Sequence, residues 1–307
     1  MDIIILLFGF SIGLVLLVKG ADEMVSSAIQ IALKFKLPSS IVGATFIGFG
    51  TSAPELFAST RAALKGDLDL GIGNIVGSNI ANSLLVVAVL YLALPKDYSK
   101  KINLNKISPT WMAILTTIFV STYLLTNKFP FLLGVALLVL VLYVTYKMIS
   151  SESDDEDGLI EEEKSYIWLR GGMSLVATLY GSQLVVENAV EIASIFGVSS
   201  LVIGSTIIAI GTSLPEVAGT ISAAKMRKPD IVFGNIFGSN LFNIGLVGGA
   251  AIMISPGEIS SAIDYQLFIM YFVSFVVIFL SRNIIKRNSI LGYVFIALYV
   301  LFLISLF

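Results

Sequence analysis

Two stretches of this chain recur at one fixed distance, and that recurrence limits its architecture more than any other feature. Residues 43–55 read GATFIGFGTSAPE and residues 204–216 read GSTIIAIGTSLPE, with eight of 13 positions identical. Residues 73–82 read GNIVGSNIAN and residues 234–243 read GNIFGSNLFN, with seven of ten identical. Both pairs are offset by 161 residues, Glu55 to Glu216 and Asn82 to Asn243. A shared, gapless offset marks a duplicated unit, not two short motifs that converged. Packing of small residues between membrane helices accounts for repeated Gly, Ser and Ala. It does not call for a glutamate in each copy.

The duplicated sequence is apolar. Of 307 residues, 56% are hydrophobic and 13% charged, where a soluble domain carries about a quarter charged. Runs of around 20 apolar residues, enough to cross a hydrocarbon core of ~30 Å, are expected near 2–33, 39–64, 70–94, 105–126, 129–149, 166–196, 200–225, 230–254, 262–281 and 289–307. Residues 3–18 lack a basic leader and a cleavage site, so they read as the first span and not as a signal peptide. Each copy then holds five spans, and an odd number turns the second copy over relative to the first. The predicted fold is an all-α polytopic membrane protein of ten transmembrane helices in two inverted five-helix repeats. The first repeat covers 1–149 and the second 166–307. The linker between them, 150–165, carries eight acidic residues. It reads as a solvated segment, since its spacing does not match an EF-hand loop.

Lys and Arg set the orientation. Fifteen of them fall in connections after the odd-numbered spans, against Arg61, Lys65 and Lys128 on the other side. This places the linker in the cytoplasm and both termini outside a cell membrane. Lys19, Asp22, Glu23, Glu187 and Glu191 read as polar contacts near the membrane surface, with Lys19 pairing to Asp22 or Glu23. Trp111 and Trp168 fit an interfacial aromatic belt.

The absence of Cys and His removes disulfides, histidine proton relays and ordinary zinc or copper sites. A bound cation must be held by oxygen, which favours Ca2+, Mg2+ or Na+. Glu55 and Glu216 sit inside apolar spans, where a charge costs at least ~2.5–3.5 kcal/mol and is therefore usually functional. Two such carboxylates repel unless a cation or proton lies between them, and Ca2+ balances their summed charge. Each follows Gly-Thr-Ser-x-Pro, a helix-breaking run. A break there frees carbonyls of Gly48, Thr51, Ala209 and Thr212, tolerated at membrane depth where they line a cavity. Ser52 and Ser213 add hydroxyls. The second motif adds Ser78, Asn82, Ser239 and Asn243, each Ser–Asn pair four apart on one helix face. Asn74, Asn79, Asn235 and Asn240 are expected to form interhelical hydrogen bonds.

Paired GTSxPE and GNxxGSN motifs in two five-span halves resemble the α-repeats of the calcium/cation antiporter superfamily, in particular its prokaryotic sodium/calcium exchanger branch. The resemblance covers essentially the whole chain. It implies that spans two, three, seven and eight surround the ions, and that Glu55 and Glu216 ligate Ca2+ with carbonyls of Thr51 and Thr212. It implies that Ser52, Ser78, Ser213, Ser239 and the carbonyls near Gly48 and Ala209 serve mainly Na+. The first and sixth helices would slide as a pair across the other eight. Some relatives carry aspartate where this chain has Asn243; its absence argues against K+ co-transport and puts stoichiometry in doubt. The family suggests three Na+ per Ca2+, hence electrogenic exchange.

The expected function is Ca2+/Na+ antiport, with Ca2+ and Na+ as transported ions, the bilayer as surroundings, no prosthetic group, no nucleic acid and no obligate protein partner. The residues alone leave H+/Ca2+ antiport open, although four serines are useful to Na+ and of little use to a proton. A passive cation channel is a different class, but an inverted repeat implies alternating access. An intramembrane enzyme is disfavoured because the motifs pair no nucleophile with a base.

Overall fold

The computed structural model describes residues 3–101, 104–150, 166–197 and 211–306. These are overwhelmingly helical. Helix α1 spans Ile3–Phe35. A broken rod follows: α2 (Ser39–Val42), a π-helical stretch Gly43–Gly48, α3 (Phe49–Thr51) and α4 (Ala53–Leu64). Then come α5 (Leu68–Ala81), a π stretch Asn82–Val86 and α6 (Val87–Ala93) in one continuous span. Helices α7 (Ile107–Thr126) and α8 (Phe131–Ile149) complete the first half. The second half holds α9 (Ile167–Ile195), α10 (Leu214–Lys225) and α11 (Pro229–Phe242). A π stretch Asn243–Gly248, α12 (Gly249–Ile254), α13 (Asp264–Ser281) and α14 (Ser289–Ile304) follow.

Among the described residues, six helical spans are long and apolar enough to cross a membrane, or seven if the rod bent by 45° at Ser52 counts as one. The beginning of the expected seventh span, with Ala209, and nearly all of the acidic linker lie outside the described residues. The spans Leu68–Ala93 and Pro229–Ile254 are the most enclosed, with about four-fifths of their apolar stretch buried, against 22% for α1. The centre of the bundle is therefore formed by the two GNxxGSN segments, and α1 runs along its outside.

Helices α1 and α9 lie against one another through small residues. A Cβ on Gly13 would sit 2.9 Å from the Val185 amide nitrogen, and one on Gly20 would sit 2.8 Å from that of Thr178. Such backbone-to-backbone approach is how membrane helices gain dispersion energy without a hydrophobic driving force. An ion pair adds to it. Glu23 of α1 takes a 2.8 Å bond from Arg170 of α9, so its partner is not Lys19 as the local spacing suggests. The neighbouring helix lies as close as the next turn, and Arg presents the longer reach.

Two short antiparallel strand pairs tie the halves together at their loops. Strand β1 (Ser99–Lys101) pairs with β4 (Ile284–Lys286), and β2 (Lys128–Phe129) pairs with β3 (Gly257–Glu258).

Candidate ion-binding site

The repeated Pro-Glu pairs open helices. In α4, Ala53, Pro54 and Glu55 are the first three helical residues; in α10, Leu214, Pro215 and Glu216 hold those places. Proline costs nothing in a first turn, where its missing N–H has no carbonyl to meet. A carboxylate there faces the positive end of the helix dipole. The break at Ser52 thus does two things: it bends the rod and sets an anion at a helix start inside the bundle.

Both glutamates are buried, at 5% and 3% exposure. They lie close enough to interact electrostatically. Around them the halves interleave. Ser78 donates to Glu55 Oε1 at 3.2 Å. The Thr51 hydroxyl lies 3.5 Å from Ser239 Oγ. Ser239 in turn reaches the Gly48 carbonyl and Asn235 Oδ1, each at 3.3 Å. Asn82 donates to Asn240 Oδ1 at 3.1 Å, Asn240 donates to Ser83 Oγ at 3.2 Å, and Asn243 donates to Asn79 Oδ1 at 3.0 Å.

Among the described residues, six buried side-chain oxygens have no hydrogen-bond partner: Ser52 Oγ, Glu55 Oε2, Glu216 Oε2, Asn243 Oδ1, Thr220 Oγ1 and Ser222 Oγ. Four of them belong to the expected site. Buried polar atoms are nearly always paired, and unpaired carboxylate, amide and hydroxyl oxygens are the donor types that a hard cation takes. Among the described residues no three acidic, His or Cys side chains gather. The set is therefore two carboxylates among neutral oxygens, which suits a hard cation.

The other expected residues divide. The Gly48 carbonyl is not freed by the break. It accepts from both Ser52 N (3.2 Å) and Ser239 Oγ, because a 45° bend keeps the i to i+4 bond across it. Thr212 and Ser213 line a cavity of about 230 Å3 that also touches Asn74, Ser78, Gln266, Tyr299 and Leu306. This cavity runs from the site to the C-terminal end of α14. Thr212 is exposed whereas its repeat mate Thr51 is fully buried. Asn79, Asn240 and Asn74 make interhelical bonds as expected. Asn235 bonds Ser239 on its own helix instead, since the two lie one turn apart on one face. Sequence reasoning missed Thr220. The signal was present, because the 161-residue offset pairs it with Ser59.

A family model for the sodium/calcium exchanger protein matches residues 5–151 and 166–307, nearly the whole chain on either side of the linker. The chain belongs to the sodium/calcium exchanger family. Sodium/calcium exchanger MaX1 of Methanosarcina acetivorans is 31% identical over 96% of this chain and 97% of its own. Inner membrane protein YrbG of Escherichia coli is 32% identical over 89% and 88%. The solved sodium-calcium exchanger NCX_Mj, soaked with zero Na+ and Ca2+, superposes with a TM-score of 0.84 at 27% identity, covering all of both chains. The same exchanger soaked with 10 mM Na+ and 10 mM Sr2+ gives 0.83. Membership makes this a multi-pass membrane transporter of the exchanger family, concerned with Na+ and Ca2+.

Proposed function

We propose that this exchanger carries Ca2+ one way and Na+ the other through ten spans in two inverted repeats, by alternating access at the Glu55–Glu216 site. The observation that carries the reading is the pair of buried, repeat-related carboxylates with unpartnered Oε2 atoms beside the unpartnered oxygens of Ser52 and Asn243. Closing an apolar bundle over two bare carboxylates is costly. A bound Ca2+ or several Na+ removes that cost, so occlusion follows ion binding and the two ions compete. Glu55 and Glu216 take Ca2+ with Thr51 and Thr212, while Ser52, Ser78, Ser213, Ser239 and the carbonyls near Gly48 and Ala209 serve Na+. Asn82 and Asn243 complete the oxygen set.

Neutral Asn243 leaves the fixed site charge at two negatives, which one Ca2+ balances. Three Na+ overshoot it by one, so exchange at that ratio is electrogenic, and nothing in the set provides an added acid for K+. The termini face outward and 150–165 faces the cytoplasm of a cell membrane. The long helices α1 and α9 move together to change access.

The test is 45Ca2+ uptake into proteoliposomes loaded with Na+, against vesicles loaded with K+ or choline, with an imposed pH gradient as a further arm. Uptake only with internal Na+ is expected. Uptake driven by the pH gradient and indifferent to Na+ moves the chain to proton coupling. Uptake with no counter-ion makes it a channel.

A further inference from the structure

Several helical threonines in this protein turn their hydroxyls back onto their own helix. Thr45, Thr116, Thr145 and Thr178 each donate to the carbonyl four residues earlier at 2.7–2.8 Å. Thr220 does not. It is 1% exposed, and its Oγ1 has no partner of any kind. A buried hydroxyl that declines the available backbone carbonyl carries a free-energy cost, and such exceptions call for an explanation.

Position supplies one. Thr220 lies four residues after Glu216, one turn further along α10 toward Lys225 and on the same face. Its repeat mate is Ser59, one turn after Glu55 toward Arg61. Ser59 is fully engaged, donating to Gly71 O at 3.0 Å and accepting from Asn74 Nδ2 at 3.0 Å. Asn74 lines the cavity that reaches the C-terminal end of α14. The repeat mate of Asn74 is Asn235, which is buried. The same two chemistries thus flank the ion site at both ends. One end lies against an open cavity and the other is sealed.

We propose that the Thr220 hydroxyl is a cytoplasmic transit contact for the exchanged cation, the counterpart of Ser59 on the outer route. A hydroxyl oxygen is a hard ligand suited to a partly hydrated Ca2+ or Na+. In the state described here Thr220 is buried, so its hydroxyl is out of reach of solvent. Its oxygen meets the ion one turn after the ion leaves Glu216, once this end opens. The inference rests on the antiport reading and on its orientation.

The experiment compares wild type, Thr220→Val, Thr220→Ser and Ser59→Ala in sided membrane vesicles, right-side-out and inside-out. Each preparation is checked for a monodisperse purified protein, and half-saturating Ca2+ is measured at each face. Thr220→Val is expected to raise half-saturation at the cytoplasmic face about fivefold, the worth of one neutral oxygen contact. The outer face should stay within about twofold. Ser59→Ala should show the reverse, and Thr220→Ser should restore wild-type values. A purely structural hydroxyl predicts no face dependence. Equal effects at both faces, or none, would overturn the transit site while leaving the antiport reading intact. Wild-type vesicles without Na+-dependent uptake would sink the antiport reading itself.

Discussion

The side-chain amide of Asn243 donates to Asn79 Oδ1 at 3.0 Å, so the repeat-two asparagine of the candidate site is held by a residue from repeat one. The reciprocal bond exists as well, Asn82 donating to Asn240 at 3.1 Å. Because the amide nitrogen of Asn243 is committed, its oxygen is the atom left without a partner. A cation sees an acceptor there and not a donor.

Replacing Asn243 by aspartate sets a carboxylate against the Asn79 oxygen. Asn79 must then turn its amide over and give up its 3.4 Å bond to the Asn240 carbonyl. Asn243→Asp should keep transporting while its half-saturating Ca2+ or its Na+ coupling shifts, read by 45Ca2+ uptake at graded Na+. Asn79→Leu leaves the Asn243 amide unsatisfied and should lower stability by about 1–3 kcal/mol, visible as a lower Tm in detergent. Unchanged affinity and coupling in Asn243→Asp would place that side chain outside the site.

The carboxylates make a stronger test. Removing one member of a buried charge set costs about 3–5 kcal/mol, two orders of magnitude or more in binding. Glu55→Gln and Glu216→Gln should each abolish Ca2+ exchange with the protein still folded. Ligand that binds only the folded state raises stability, by about 2.7 kcal/mol at a hundred times Kd. Ca2+ should accordingly raise the Tm of wild type and not of either variant. Near-normal exchange in both variants is the result that rules the site out.

Gly77 and Gly238 are repeat mates in unlike surroundings. A Cβ on Gly238 would run into the backbone of Ala44, whereas one on Gly77 meets nothing within 4 Å among the described residues. Gly238→Ala should cost about 1–3 kcal/mol through overpacking, and Gly77→Ala should leave the Tm within error. Gly77 lines the cavity leading to the site. A larger change there, Gly77→Leu, should therefore slow exchange in vesicle flux assays without unfolding the protein.

Arg227 holds a left-handed backbone, φ +59, while its guanidinium reaches Asp97 at 2.7 Å with both side chains more than half exposed. That bond keeps the Asp97 carboxyl below its ordinary range. The pair's contribution is therefore present above the usual carboxylate pKa and fades as pH falls through the lowered value. Exposed pairs add little, and glycine relieves the left-handed penalty. Arg227→Gly should match or exceed the wild-type Tm at pH 7. A clearly lower Tm would show that the pair outweighs the backbone strain.

Much of the site was legible in the sequence because the duplication is a direct signal. Two glutamates in apolar spans, one offset, and Pro-Glu at a helix start leave little freedom of interpretation. What escaped was relational. That the Gly48 carbonyl stays engaged depends on the bend being only 45°, and no residue pattern encodes an angle. Glu23 finds Arg170 because two small-residue faces bring α1 and α9 into contact. Thr220 was hidden for a different reason. A threonine in an apolar helix usually bonds its own turn, and only the coordinates reveal one that does not.

The placement of α1 and α9 has a consequence for rate. Their shared face is glycine-lined and locked by an ion pair, yet Phe8 and Val15 of one and Met173 and Val176 of the other are more than half exposed. The pair forms a rod with one side against protein and the other against acyl chains. A rod that shifts along its length in that setting shears lipid, so its friction is set by the membrane. Under the proposed joint movement of α1 and α9, turnover should follow bilayer viscosity and thickness, which would make membrane composition a kinetic parameter of the exchanger.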